Sequence, residues 1–218
     1  THLLNTVRIT ATHDPRQPTV ANGNYAESGI AVTRGTASSY GKYSTNTVVE
    51  PDGEIHYVIY YDNNATVSIP NIVMLDTMPR NGYFGNSFTG SYTVKSWKLN
   101  AGKCEPSSFT LYYTLDAKYA GKTLQEISEE EIKTWTSAAI NADGTVTDMN
   151  GKMPVAWALI GTLNAQEGVY VDLTIKLEPG ESGGTNNVYH NMFSHGNTVT
   201  TTEEHSVIRT LEGLTWLD

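Results

Sequence analysis

The chain has 218 residues and a formal net charge of −9, from 14 Lys and Arg against 23 Asp and Glu. This balance argues against nucleic acid or an anionic membrane as a partner, because both bind surfaces with an excess of positive charge. Apolar stretches such as Ile69–Leu75 are far too short to insert across a bilayer. The single cysteine, Cys104, excludes a disulfide within the chain. Abundant Thr, Asn, Gly and Tyr are typical of an extracellular β-protein.

Apolar and polar residues alternate along most of the sequence, which is the pattern of half-buried strands. In chain order the pattern predicts strands at Leu4–Ala11, Gly29–Arg34, Thr45–Val49, Glu54–Tyr61, Asn71–Asp76, Ser91–Leu99, Phe109–Thr114, Val155–Leu163, Val169–Leu177, Val188–Phe193 and Val199–Thr202. Turn signals such as Pro51-Asp52-Gly53 and Asp143-Gly144 separate them. Many short strands with this punctuation predict an all-β fold, specifically a β-sandwich.

One segment departs from the alternation. Ser128 is followed three residues later by Glu131, the spacing of a capping box at a helix N-terminus. Ile132 and Trp135 then follow at a spacing of three, which gives one apolar stripe. The sequence therefore predicts one short α-helix, at about residues 129–137, inserted between strands and docked on the sandwich.

A longer pattern resembles a known family. The stretch Gly53–Asn63, followed by Ile72–Pro79, is similar to the signature "G-x-x-I-x-Y-x-I-x-x-x-N … v-x-v-x-D-x-x-P". That signature belongs to the conserved-repeat and fimbrial isopeptide-forming domains of Gram-positive surface proteins, the Cna-A-like, D2-type domains. Other segments follow in the family's usual order: Thr110–Thr114, Ala156–Ile160, Glu167–Leu177 and Asn187–Asn191. The resemblance covers roughly residues 36–218.

The resemblance implies an Ig-like β-sandwich that serves as a stalk domain in an adhesin or pilus-like protein. Residues 36–208 would form this domain, and residues 1–35 the end of a preceding module or a linker strand. Residues 209–218 look like the opening strand of a following Cna-B or SdrD-B type module. The expected partners are neighbouring β-modules of the same chain, with a host or glycan ligand elsewhere in the full protein. The expected location is the bacterial cell surface, with anchoring to the cell wall.

Many domains of this family carry an amide bond between a Lys on an early strand and an Asn on a late one, promoted by a buried acid. By position, the resemblance assigns these roles to Lys42, Asn191 and Asp76. Because Met192-Phe193 depart from the small residues that usually follow the asparagine, Asn197 is an alternate acceptor and Asn187 a weaker one.

The chemistry of such a bond needs a neutral amine and a protonated acid, and burial favours both. The expected reaction occurs once within the chain, so the protein is not expected to be a turnover enzyme, and no cofactor is implied. The competing interpretation makes Lys42 a solvated surface lysine just before a strand and Asp76 a turn-capping residue before Pro79.

Other patterns favour structural roles. Three histidines, His190, His195 and His205, do not have the spacing of a zinc helix. The stretch Asn141–Gly151 lacks the terminal Glu of a calcium loop and is interpreted as a hairpin. We therefore expect no metal site.

Two other functions remain open at this point. A ligand- or carbohydrate-binding adhesin module is the alternative that an exposed row of aromatic residues would favour. Its binding surface would lie near Tyr83-Phe84 or in the insertion around Ser128–Asp148. The Tyr residues together with Trp97, Trp135, Trp157 and Trp216 could also form a sugar-binding platform, but alternation along strands favours core and cross-strand pairs for them. An accessory β-domain of a secreted hydrolase is the other, although no spacing of carboxylates requires it.

Overall fold

The computed structural model describes side chains for residues 38–45, 49–50, 52–83, 90–100 and 103–178, and backbone alone for residues 2–8, 25–31, 48, 187–189, 192–195, 198–201 and 205–207. The chain divides into two compact units, Thr1–Ala37 and Ser38–Asp218. In the first unit, β1 (His2–Arg8) and β2 (Tyr25–Ala31) form an antiparallel pair.

The second unit is built almost entirely of strands. They are β3 (Ser38–Ser44), β4 (Val48–Val49), β5 (Glu54–Asn63), β6 (Ile69–Thr77), β7 (Ser91–Leu99), β8 (Phe109–Thr114), β9 (Thr136–Ala138), β10 (Thr145–Val146), β11 (Ala156–Leu163), β12 (Gly168–Glu178), β13 (Asn187–Tyr189), β14 (Met192–His195), β15 (Thr198–Thr201) and β16 (His205–Val207). One helix, α1 (Glu129–Ile132), and two 3-10 turns, Pro106–Ser108 and Ala117–Tyr119, complete the described elements.

Two antiparallel sheets pack face to face. The first has the strand order β10-β7-β12-β5-β3, and the second has the order β15-β14-β6-β11-β8-β9. Between them lies the inner core, where Trp97 of β7 meets Trp157 of β11 edge to face at 5.6 Å between ring centroids. A smaller sheet, β13-β16-β4, includes one parallel pair, β16 with β4. The domain is therefore an Ig-like β-sandwich, and the predicted all-β class is confirmed.

The burial of each strand follows from what covers its faces. Strands β5 and β12 alternate between buried and more exposed residues because only their inner face is covered. Strand β11 is buried continuously from Ala156 to Ile160, since the chain between β8 and β9 covers the outer face of its sheet. The buried apolar side chains on this outer face, from the sheet and from the chain that covers it, are here called the outer cluster. They are Leu75, Tyr119, Ala120, Ile127, Ile132, Trp135, Val155, Ala156, Ala158 and Ile160.

The predicted helix forms but is shorter than expected. The Ser128 hydroxyl accepts a hydrogen bond from the Glu131 amide at 3.2 Å, which confirms the predicted cap. The prediction that the helix continues to residue 137 is wrong, because the α-helix ends at Ile132 and Thr136 already pairs with Tyr113 of β8. Sheet pairing of these β-branched and small residues replaces a second helical turn.

The strand prediction fails around β3. Instead of a strand over Thr45–Val49, the chain places seven residues, Ser38–Ser44, in β3 and only two in β4. Tyr40 and Tyr43 favour a strand, but Gly41 and Lys42 between them do not, so the local signal is weak here. Gly41 packs closely against Tyr60: a side-chain carbon at this position would come within 2.9 Å of the ring, so the ring would have to shift.

Candidate functional site

Facing strands of the two sheets bring a lysine and an aspartate together in the inner core. Lys42 lies on β3, at one edge of its sheet, and Asp76 lies near the end of β6 in the opposite sheet. Lys42 Nζ donates to Asp76 Oδ2 at 2.5 Å, and both side chains are 0% exposed. The interpretation of Lys42 as a solvated lysine before a strand and of Asp76 as a turn cap is therefore wrong.

Aromatic rings enclose the pair. The Tyr57 ring of β5 lies under the ammonium group, with Nζ 4.7 Å from the ring centroid. Trp157 is the residue directly opposite Asp76 on β11, and it is 0% exposed. Tyr92 of β7 is close enough that the negative charge of Asp76 adds to the effect of burial in raising the pKa of this tyrosine. Water is thus replaced by aromatic surface around both charges.

Burial drives both groups toward their neutral forms. Desolvation lowers the pKa of Lys42 from 10.5 to about 8, against the opposing attraction of Asp76. Desolvation likewise raises the pKa of Asp76 above its ordinary 3.8, although Lys42 and the Trp157 indole pull it down. Both shifts favour the passage of a proton from Nζ to Oδ2, which would leave an amine and a carboxylic acid in contact.

One carboxylate oxygen of the pair has no hydrogen-bond partner of standard geometry. Asp76 Oδ1 is buried and has no hydrogen-bond partner among the described residues, while Oδ2 is occupied by Lys42. A buried polar atom without a partner costs about 1–3 kcal/mol, so most such atoms in native structures are paired. Oδ1 is therefore open to a donor other than Lys42.

The predicted acceptors lie at the border of what the structure describes. Asn191 and Asn197 fall outside the described residues, and Asn187 is described only as backbone of β13. Strand β14 begins at Met192, the residue after Asn191, and pairs antiparallel with β6. In that register Phe193 is opposite Asp76. The backbone of this late strand thus runs beside the strand that carries the candidate acid.

The tryptophans and the Asn141–Gly151 stretch, which were the other candidate sites, have structural roles where the structure describes them. Trp97, Trp135 and Trp157 are all less than 10% exposed, as the favoured interpretation of these aromatics as core residues predicts, and they cannot form an exposed platform. Trp216 lies outside the described residues. Asp143 accepts from the backbone and hydroxyl groups of Thr145, as in a hairpin turn.

Metal ligands do not cluster in the part of the chain that the structure describes, where no three His, Cys, Asp or Glu side chains come together. Of the three candidate histidines, His190 lies outside that part, and His195 and His205 are described as backbone only. A surface cavity of about 230 Å³ opens beside Met78, Arg80, Tyr92 and Met153, and neither Lys42 nor Asp76 lines it.

Sequence reasoning missed two residues of the site, Tyr57 and Trp157. The alternation in β5 assigns Tyr57 to the inner face, but nothing in the sequence indicates that Lys42 lies above its ring. The position of Trp157 opposite Asp76 depends on the register between β6 and β11, which a single sequence does not specify.

Comparisons with known proteins give distant similarities only. No family model matches the sequence, and no curated protein sequence matches it. Among solved structures, the major pilin BcpA of Bacillus cereus aligns at 8% identity and a TM-score of 0.35, over 80% of this chain and 41% of that one. The collagen adhesin CNA of S. aureus aligns at 10% identity and a TM-score of 0.36, over 84% of this chain and 54% of that one. The collagen-binding subdomain ACE19 of the Enterococcus faecalis surface protein ACE aligns at 10% identity and a TM-score of 0.29, over 75% of this chain and 95% of that one.

The chain spans about half the length of the first two structures. Similarities this low carry no argument about function, which must come from the site itself. A search of the described residues for helices with the length and apolar character of a membrane span found none.

Proposed function

We propose that this chain is a structural stalk domain of a bacterial surface adhesin or pilus-like protein, stabilised by an isopeptide bond between Lys42 and Asn191 with Asp76 as the assisting acid. The observation that carries the proposal is the fully buried contact between Lys42 and Asp76 on facing sheets. A buried ion pair is a poor way to stabilise a core, because its desolvation cost offsets its attraction. Its presence is therefore better explained by chemistry than by stability.

The reaction follows from the two pKa shifts. Lys42 passes one proton from Nζ to Oδ2 of Asp76 and becomes a neutral amine. The amine attacks Cγ of Asn191 while the protonated acid donates a hydrogen bond to the carboxamide oxygen. The Cγ–Nδ2 bond then breaks, ammonia leaves with the proton that Nζ gives up, and an Nζ–Cγ amide remains. Holding the groups in contact replaces a slow bimolecular aminolysis by an intramolecular step.

The bond would serve mechanical stability. It would close a loop of 149 residues (191 minus 42), which in the chain-entropy model is worth about 5 kcal/mol. The loop would connect an early strand of one sheet to a late segment of the chain, so that tension along a stalk bypasses the rest of the sandwich. Each molecule reacts once, so the domain is not a turnover enzyme. The role implies a location outside the cell, in a protein anchored to the cell wall.

Intact mass spectrometry of purified variants tests the crosslink. The parent chain is expected to be one ammonia lighter than its sequence mass and to run faster on a denaturing gel. Lys42→Ala, Asp76→Ala and Asn191→Ala should each restore the full mass, whereas Lys98→Ala, which removes an exposed lysine of β7, should keep the deficit. A parent chain of full sequence mass would exclude the bond.

The same series identifies the acceptor. If Asn191→Ala keeps the mass deficit, the acceptor is a different residue, and Asn197→Ala and Asn187→Ala should be tested next. Loss of the deficit in one of these variants alone would assign the bond to that residue and correct the assignment made here.

A carbohydrate-binding module is a second candidate, favoured by the outer face of the five-stranded sheet. There Tyr60 of β5 and Tyr170 of β12 stack at 5.8 Å with an angle of 17° between their rings, and Tyr43 of β3 is 49% exposed. Flat aromatic surface of this kind can stack on sugar rings. Binding on a glycan array that is lost in Tyr60→Ala and Tyr170→Ala would support this function, and an array without binding would count against it.

A further inference from the structure

Two buried polar atoms without partners lie on directly opposed residues. Trp157 and Asp76 are register partners across β11 and β6, and both side chains are fully buried. Within the described residues, neither Trp157 Nε1 nor Asp76 Oδ1 has a hydrogen-bond partner of standard geometry. The two atoms are complementary, because an indole N–H can only donate and a carboxylate oxygen accepts. The indole is close enough to lower the pKa of Asp76.

We propose that Trp157 is a positioning residue for the crosslink: its Nε1–H binds Oδ1 of Asp76 and thereby fixes Oδ2, the oxygen that faces Lys42, as the one that carries the proton. This inference rests on the proposed isopeptide chemistry. It adds an assignment that the pair alone does not make, namely which oxygen of the acid is the donor.

The assignment follows from hydrogen-bond chemistry. An indole nitrogen offers no acceptor, so a hydroxyl placed at Oδ1 would face a donor and gain nothing from it. The proton of the neutral acid is therefore held at Oδ2, where Lys42 Nζ delivers it over 2.5 Å. The carboxyl group then needs no rotation between receiving the proton and donating to the carboxamide. Edge-to-face packing against Trp97 holds the Trp157 ring in its plane.

The same hydrogen bond has a second, opposing effect, because it also stabilises the charged carboxylate. Without it the pH range of the reaction should move upward, since the acid then keeps its proton to higher pH. The other described titratable or charged groups around the pair are Tyr57 on β5, Tyr92 on β7 with Arg80 beside it, and Tyr113 on β8 next to Trp157. These groups stay in place when Trp157 alone is changed.

Replacing one atom tests the proposal without changing the shape of the core. The full chain is synthesised in a cell-free system with benzothienylalanine, which carries sulfur in place of the indole N–H, at position 157. The matched control carries the same residue at position 135, where the indole is also buried, its Nε1 also has no partner, and the ring lies in the outer cluster. After a short pulse of synthesis, samples are held at pH values from 5 to 9, and loss of ammonia is followed by intact mass.

At position 157 we expect crosslinking about tenfold slower at its optimum, the effect of losing one hydrogen bond that orients the neutral acid, with the pH profile moved to higher pH. At position 135 the rate and the pH profile should both match those of the parent chain. Trp157→Phe and Trp135→Phe give the same comparison with natural residues. A rate at position 157 equal to or above that of the parent, or equal changes at both positions, would overturn the positioning role. A parent chain that never loses ammonia would instead overturn the proposed crosslink itself.

Discussion

The two faces of the six-stranded sheet bury different kinds of side chain: apolar ones on the outer face, and a charged pair on the inner face. Leu75 and Asp76 are consecutive on β6, both are 0% exposed, and they point to opposite sides of the sheet. Leu75 belongs to the outer cluster, which is made of apolar and aromatic side chains. Asp76 points into the inner core, where it holds a buried lysine and leaves one oxygen without a partner among the described residues.

This difference separates stability from chemistry. The outer cluster gains free energy simply by removing apolar surface from water. The inner pair loses free energy by removing two charges from water, and regains it only in part through one hydrogen bond. A position where a fold accepts such a cost is a candidate reaction site. The account therefore predicts that changes on the two faces have different consequences for the crosslink.

The largest effect is expected from single substitutions in the pair. Lys42→Met and Asp76→Leu each lose the bond, worth about 5 kcal/mol, and leave the other group buried without its partner, which costs about a further 3–5 kcal/mol. The double variant loses the bond but buries no charge. We expect the double variant to be more stable than either single variant in urea unfolding. A double variant less stable than both would contradict the claim that burying the charged pair costs free energy.

A smaller loss is expected on the outer face. Ile132 of α1 is 0% exposed within the outer cluster, so Ile132→Ala should cost about 2–5 kcal/mol in the free energy of unfolding. The crosslink should still form, because the inner core is unchanged. Val67→Ala, at a residue that is 57% exposed, is the control and should change little. Loss of the mass deficit in Ile132→Ala would show that the two faces are not independent.

The pair should also leave a pH signature in the uncrosslinked Asn191→Ala chain. The pKa of Lys42 is lowered to about 8 in the folded state, against 10.5 when unfolded, so between these values the unfolded chain binds more protons. Stability should therefore rise with pH in this window. The raised pKa of Asp76 has the opposite sign and lowers stability as pH rises above 3.8.

Urea midpoints from pH 4 to 10 measure both slopes. The control chain carries Lys42→Met and Asp76→Leu in addition to Asn191→Ala, and it should lack the rise above pH 8. The same rise in both chains would mean that another group causes it.

The smallest effect is expected at the helix cap. Ser128→Ala removes the hydroxyl that accepts from the Glu131 amide and should cost about 1 kcal/mol, with the crosslink intact. Ser137→Ala, at an exposed serine of β9, is the control. Hydrogen exchange should become faster around α1 in the first variant only. An unchanged melting temperature, with exchange unprotected around α1 in the parent chain too, would mean that the cap does not hold a docked helix.

Local patterns in the sequence predict much of the fold, because burial on one face of a strand produces alternation. Strands β5 and β12 and the Ser128 cap follow from such patterns. Strand β3 does not, since Ser38–Ser44 join the sheet through pairing with β5 rather than through their own propensity.

The site was predictable only in part, by resemblance. Lys42 and Asp76 were assigned by their positions in a family pattern, and the structure brings them into contact. The enclosing residues Tyr57 and Trp157 depend on sheet register and on how the two sheets face each other, and these are tertiary properties that no short stretch of sequence encodes.

Peptide mapping of the denatured parent chain is the most direct test of the central claim. Trypsin should fail to cleave after Lys42, and tandem mass spectrometry should find a branched peptide that joins Lys42 to the peptide containing Asn191, one ammonia lighter than the sum of the two. Recovery of Lys42 only at the end of a linear peptide would contradict the account. The protein would then be a β-sandwich with a buried charged pair that forms no amide bond.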